Sequence, residues 1–307
     1  MSEANRVGLR FIEEVTWNTT PATPTMQALR FTGENLGHAI DNTQSQEIRD
    51  DRNIADTVQT LARNQGGFDF ELSCTSFDNL MEGALFNTWA TDVLKNGTTK
   101  KFFTIEKAML DEAEFFTFTG QIVSSMSMTL AASSIITGRM DFMGSDAALA
   151  QVTGATAVTA PTTTSVLNAM ANVGTIQEGA SLTDLTGVFL QEISFTVNNN
   201  LRTIAQIGSN SLGAIPAGSC EVTGTLNCYF NSDRLYDQFV AGSETALTFT
   251  TSDGAGNSYT FLFPRIKFET DDIVASGINT DVWENISWRA LYDSSEDCAI
   301  KITRVVA

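Results

Sequence analysis

The sequence predicts a mainly β chain: two tandem β-sandwich or β-barrel units with short flanking helices, related by internal duplication. Three observations carry that expectation. Apolar and polar residues alternate over several stretches, Thr and aromatic residues are concentrated in them, and a set of features recurs in the same order in both halves.

Alternation is strongest where Cys220, Val222, Gly224, Leu226, Cys228 and Phe230 interleave with Glu221, Thr223, Thr225, Asn227 and Tyr229. Successive strand residues point to opposite faces, so one face is apolar and the other polar. Phe68, Phe70, Leu72 and Cys74 share one parity, as do Met126, Met128 and Leu130, and Cys298, Ile300 and Ile302. Asn96-Gly97, Gly66-Gly67 and Ser252–Asn257 supply turns. Two short helices are expected. Phe77–Leu85 has Asp78 as a potential N-cap, and Asn231–Val240 places Leu235/Phe239 and Tyr236/Val240 at helical spacing.

The repeat is an ordered one. Leu29-Arg30-Phe31-Thr32 parallels Ile193-Ser194-Phe195-Thr196, and the Gly67–Cys74 strand parallels Gly218–Phe230. Each strand leads into one of the short helices. Phe116–Gly120 then parallels Tyr259–Pro264, and Gly138-Arg139 parallels Trp288-Arg289. The expected organisation is a first unit over residues 1–146, a Thr/Ala-rich linker over 147–165 and a second unit over 166–307, with Val166–Met170 as a leading strand of the second copy. Thr19–Gln27 and Asp41–Asn64 are polar, carry few apolar anchors and are expected to be poorly packed, awaiting a neighbour.

Composition narrows function. The 307 residues are 42% hydrophobic and 9% aromatic, so a core is expected. With 36 acidic against 18 basic residues the net charge is −18, which disfavours gripping a polyanion such as DNA and suits letting one pass. No basic, then apolar, leader opens the chain and no apolar run approaches a membrane span, so the expectation is cytosolic manufacture without membrane insertion. The four cysteines fall on apolar strand faces and read as core residues, not as disulfides or metal ligands. His38 is the single histidine, and phosphate-loop and nucleophile-elbow motifs are missing. Glu13/Glu14 and Asp271/Asp272 are sequence neighbours that a strand points to opposite faces, so neither is an acid–base pair. No enzyme, cofactor or metal is expected.

Several of these stretches resemble one known family. Glu14-Val15-Thr16-Trp17-Asn18-Thr19-Thr20-Pro21 is similar to the N-terminal arm of the major tail tube proteins of long-tailed (siphovirus-like) bacteriophages, in the class of roughly 300 residues, with Asn18 where Gly is usual. The likeness continues through Leu29–Glu34, Ser45–Arg52, Phe118-Thr119-Gly120 and Phe195–Leu201. It implies a structural subunit that polymerises into stacked rings around a channel for DNA passage during ejection. A distal tail, baseplate or receptor-binding component is the alternative. Sixfold character in the family's rings, with two units per chain, implies trimeric pseudo-hexameric rings. Tape measure, tail terminator and distal tail proteins are the further partners, and DNA passes without specific binding. The location implied is the virion tail, assembled in the host bacterial cytoplasm. On this reading Glu14, Trp17, Thr20, Pro21, Glu47, Arg49, Asp51 and Arg52 are candidate inter-ring contacts. Asp69, Glu71 and Glu221, on polar strand faces of an acidic chain, are candidates to face the lumen, where DNA would meet no cation.

Overall fold

A computed structural model describes residues 3–174, 176–179, 182–185 and 188–307. Met1 and Ser2, where the leader was sought, lie outside it.

In chain order the first half contains β1 (Val7–Glu14), β2 (Thr25–Ala28), β3 (Gly33–Glu34), β4 (Gly37–Gln44), β5 (Thr57–Glu71), α1 (Asp78–Leu85), β6 (Val93–Lys95), β7 (Phe102–Met109), β8 (Glu114–Ala131), β9 (Thr137–Gly144), β10 (Asp146–Ala150) and β11 (Ala157–Thr159). The second half contains β12 (Gln177–Glu178), β13 (Thr183–Asp184), β14 (Phe189–Asn198), β15 (Ile204–Ala205), β16 (Leu212–Ala214), β17 (Glu221–Tyr229), α2 (Arg234–Ala241), β18 (Glu244–Ser252), β19 (Ser258–Ala275), β20 (Val282–Ala290) and β21 (Lys301–Val305). The chain is mostly β, with two short α-helices among the described residues, as the alternation predicts.

Two 18-residue strands organise the molecule. The first half of β8 pairs with β7 and β10, and its second half pairs with β9 and β14. The first half of β19 likewise pairs with β18 and β21, and its second half with β20. Each therefore passes from a cover sheet into a second sheet. The first cover sheet runs β11–β2–β1–β7–β8–β10. Its counterpart runs β13–β12–β18–β19–β21. The second sheet is shared. It runs β4–β5–β9–β8–β14–β17–β20–β19 without a break, because β14 pairs with β8 from Glu192↔Ala131 to Asn198↔Ser125. The pairing scheme of the first half thus recurs in the second.

Apolar parity puts one face of the shared sheet into the core. Phe68 and Phe70 (β5), Met140 and Phe142 (β9), Met126 and Met128 (β8), Phe195 (β14), Val222 (β17) and Trp288 (β20) are all buried. Phe195 meets Phe249, Phe261 and Phe263 of the cover sheet at centroid separations of 6.3, 5.6 and 5.2 Å. The bend in β8 falls at Gly120, with φ of +65° and the Trp17 indole donating to its carbonyl (3.2 Å). A side chain there would meet that indole, so glycine is required. All four cysteines are free; Cys74, Cys228 and Cys298 are buried and Cys220 half-buried. Burial pushes the thiols up, to about 11 for Cys74, Cys220 and Cys298 and about 12 for Cys228.

The halves are braced across each other. The first half's β6 pairs with β21 and so extends the second cover sheet. Tyr259 Oη accepts from Thr75 N–H (2.7 Å) and donates to Asp78. Arg304 bridges Asp78 (2.6 Å) and Asp92 (3.0 Å), and its guanidinium lies 4.5 Å over the Trp89 ring. Asp78 is therefore not the helix cap expected: Phe77 occupies the N-cap, and the Asp78 carboxylate serves the contact between halves.

Four expectations about segments are corrected. Residues 41–44 and 57–64 of the polar Asp41–Asn64 stretch lie in the β4–β5 hairpin, paired from Gly37↔Gln65 to Gln44↔Thr57. Two exposed faces leave no apolar parity, so the pattern hides the strand. Thr19–Gln27 is held as well, with Met26 buried and β2 paired to β1. The expected linker contributes edge strands: β10 continues to Ala150, past the boundary expected at 146, and β11 lies parallel to β2. Gly154 N–H and the Thr153 hydroxyl pin it to the buried Glu106 (2.7 and 2.9 Å). Finally, Val166–Met170 does not lead the second copy. Leu167 is buried against the first half, donating to Leu72 O (2.8 Å) and accepting from Ile136 N–H (2.9 Å). The chain crosses over after it, and Gly174 N–H donates to Thr250 O.

Candidate functional site

The face of the shared sheet turned away from the core is a broad polar surface spanning both halves. Parity opposite to the buried residues brings Ser125, Ser127 and Thr129 (β8), Ser194 and Thr196 (β14), Thr223 and Thr225 (β17) and Ser287 (β20) onto it. Short hydroxyls pair across strands, as in Ser194–Thr225 (2.7 Å) and Thr270–Ser287 (2.6 Å).

Asp69, Glu71 and Glu221 are on this face, as parity predicts, but not as a bare acidic wall. Arg139 of β9 binds Asp69 (3.0 Å) and Asp141 (2.7 Å). Arg289 of β20 binds Glu221 and Glu269 (2.6 Å). Each half therefore sets one arginine between two carboxylates, and the expectation of a face without cations is corrected. The Arg289 guanidinium holds Glu221 below the usual carboxylate range. Asp141, then Asp69, raises Arg139. Each triad keeps one net negative charge while its arginine is engaged; Lys267, exposed opposite Arg289, adds a cation to the same face. Glu71 lines a shallow cleft with Arg30 and Thr32. The arginines were visible in the repeat, as Gly138-Arg139 and Trp288-Arg289; their partners were not, because pairing needs the register.

The candidate contact residues divide. Glu14 is buried, accepting from Thr104 Oγ1 (2.7 Å), Gly120 N–H (2.9 Å) and Asn18 N–H (2.7 Å). Trp17 bonds Gly120, Thr20 bonds the Thr104 hydroxyl (2.9 Å), and Pro21 is half-buried. This corner is braced inside the chain, so Glu14 is corrected from a contact residue to an internal anchor. Glu47, Arg49, Asp51 and Arg52 sit on the exposed tip of the β4–β5 hairpin. Arg49 clasps Asp51 (2.8 Å) and holds that carboxyl well below its usual range. Ile48 and Ile54 stand exposed beside them.

One buried feature escaped the sequence reading. A bulge between Phe268 and Thr270 turns Asp271 inward, toward Glu284 of β20. Glu284 is 2% exposed, and the groups acting on the pair are acidic or neutral: each other, Asp272 and the Cys228 thiol. Burial, then the mutual repulsion, lifts Glu284 to about 7, and burial also raises Asp271. Asp271 and Asp272 do point to opposite faces; the pair forms across the sheet instead.

His38 is exposed and bonds Asn64 (2.8 Å). Among the described residues no cluster of His, Cys, Asp or Glu could hold a metal, and no helix is long and apolar enough to cross a membrane. A family model described as phage tail tube protein matches residues 4–290. The search of curated proteins finds no match.

Proposed function

The chain belongs to the phage tail tube protein family, a family of virion tail structural proteins, and from that premise we propose that it polymerises into stacked trimeric rings enclosing a DNA channel. One observation carries the reading: the shared sheet ends in two unpaired edges that match an internal junction. Inside the chain, the outer edge of β8 accepts β14. The counterpart of β8 is β19, whose second half pairs on one side only among the described residues. The counterpart of β14 is β3–β4, which among the described residues pairs only with β5. Joining the β19 edge of one chain to the β3–β4 edge of the next repeats the β8–β14 junction between subunits. Three chains of two units then make a pseudo-sixfold ring.

The polar face of the shared sheet lines the channel in this reading. Its hydroxyls are short and uncharged, and Arg139 and Arg289 are each already held by two carboxylates, which leaves Lys267, opposite Arg289, as the exposed cation of that face among the described residues. Asp69, Glu71 and Glu221 are the lumen acids. The subunit is not catalytic. Its partners are other copies and the tape measure, tail terminator and distal tail proteins, and it is assembled in the host cytoplasm.

Electron cryo-microscopy of the purified protein tests this. Rings of three chains with β19 beside β3–β4 are expected. Rings of six chains, or a channel lined by a cover sheet, would overturn the proposal.

A further inference from the structure

The shared sheet has two ends, and they carry different surfaces. At one end β14 begins, β17 finishes and the β19–β20 hairpin turns. Register aligns Phe189 with Tyr229, Tyr229 with Trp283 and Trp283 with Val274. Direct partners in antiparallel strands share a face, so these four side chains form one row. Tyr229 and Trp283 lie 4.6 Å apart, and Phe189, Val274 and Ile278 are exposed. Phe189, Tyr229, Phe230, Asp281 and Val282 line an open cavity of about 500 Å³. The charge around it is negative. Asp233, Asp237, Asp272 and Asp281 are exposed without an ion-pair partner among the described residues, and the nearby Arg234 is engaged by Glu178.

At the opposite end, β14 finishes and β17 begins, joined by residues 199–220. This segment is anchored. Leu212 and Ile215 are buried with Phe86 and Ile122, Lys100 donates to Ile215 O (2.8 Å), and Asn210 O accepts from Ala62 N–H (2.7 Å). Its tip is not covered: Ile204 is exposed and Ile207 fully so, beside Gly208 at φ +88°. The segment holds no acidic residue and one basic residue, Arg202, which is exposed and has no ion-pair partner among the described residues.

We propose that the 202–208 tip of one copy docks in the Phe189–Tyr229–Phe230–Asp281 cavity of a second copy in the next ring. Ile207 enters among the aromatic side chains and Arg202 meets the aspartates. Apolar surface faces apolar surface, and an unpaired cation faces unpaired anions. The two surfaces are different patches at opposite ends of one sheet, so the contact is heterologous. It propagates without closing, as stacking requires. The proposal rests on the tube reading and names the residues through which rings join.

A cysteine pair reads the contact directly. In tubes of Ile207→Cys/Asp281→Cys, oxidation should give a ladder of covalent multimers on a non-reducing gel, since every chain carries both ends. Each single variant should give no ladder. Arg202→Glu and Asp281→Arg should each raise the protein concentration needed for tube growth about tenfold, with rings still forming, and the double exchange should restore growth. Tubes of the cysteine pair without a ladder, or growth unchanged by either charge reversal, would overturn the docking while leaving the tube reading intact. Failure of the unsubstituted protein to stack at all would remove both.

Discussion

In the first half of the chain, Phe70 on β5 lies directly opposite Gly138 on β9. At the corresponding pair in the second half, Gly224 on β17 lies opposite Trp288 on β20. A side chain added at Gly138 would strike the Phe70 ring and the Ser127 carbonyl, and one added at Gly224 would strike the Trp288 ring and the Ser194 carbonyl. Large and small have exchanged strands while the register stayed the same. What the scheme preserves is the volume at a cross-strand pair, and either strand can supply it. A second exchange concerns buried charge. β1 and β12, corresponding strands of the two cover sheets, each end in a buried glutamate. Glu14 is satisfied by neutral donors, whereas Glu178 takes Arg234 and the Thr245 hydroxyl.

The volume exchange can be broken and remade. Trp288→Gly should cost about 4 kcal/mol, because a buried indole leaves a cavity that the sheet cannot close. Adding Gly224→Phe copies the first half's arrangement and should recover part of that loss in chemical denaturation, the rest being withheld by the contact of the new Cβ with the Ser194 carbonyl. A double variant no more stable than Trp288→Gly would show that the halves differ in more than which strand carries the ring.

The charge exchange predicts a smaller asymmetry. Arg234→Met should destabilise by about 2 kcal/mol: it removes the cation that faces the interior Glu178 carboxylate, and the partial exposure of Arg234 limits the loss. Glu14→Gln should cost about 1 kcal/mol, since an amide oxygen still accepts from Thr104 and Gly120. Equal costs in thermal melts would mean that the two glutamates are held alike.

A third asymmetry is expected in pH dependence, through a buried carboxyl of the second half. Glu284 is raised in the fold to about 7 from an ordinary value of 4.5. The folded state therefore holds a proton that the unfolded state has released. Stability falls as pH rises from about 4.5 to about 7 and levels off above. Glu284→Gln should flatten that slope and raise the melting temperature at pH 8 relative to the parent. An unchanged slope would assign the pH response elsewhere.

The sequence was most informative where one strand face is buried. Cys220–Phe230, Phe68–Cys74 and Met126–Leu130 alternate visibly because water and core impose opposite demands on neighbouring positions. Both short helices were legible for the same reason, and the recurring Gly138-Arg139 and Trp288-Arg289 pointed to the repeated pairing. The β4–β5 arm and β11 were illegible, being edge structures with little buried surface to write a period. Glu14 read as part of a loose arm because its donors lie about 90 and 106 residues away, at Thr104 and Gly120. The Asp69–Arg139 and Asp271–Glu284 pairs required a register, and in the second case a bulge that reverses parity midway along β19.

The insertion of β6 beside β21 also constrains the order in which the chain can mature. β6 leaves the ribosome at Val93–Lys95, while its partner is made about 200 residues later, at Lys301–Thr303. At synthesis rates of about 5–20 residues per second, that strand waits roughly 10–40 s with its edge unsatisfied. Until β21 is made, the nascent chain exposes the pairing edge of β6. A chain destined to stack through strand edges and loops is thus most open to premature association before β21 emerges, so the pairing of β6 with β21 doubles as the step that makes the subunit safe to store.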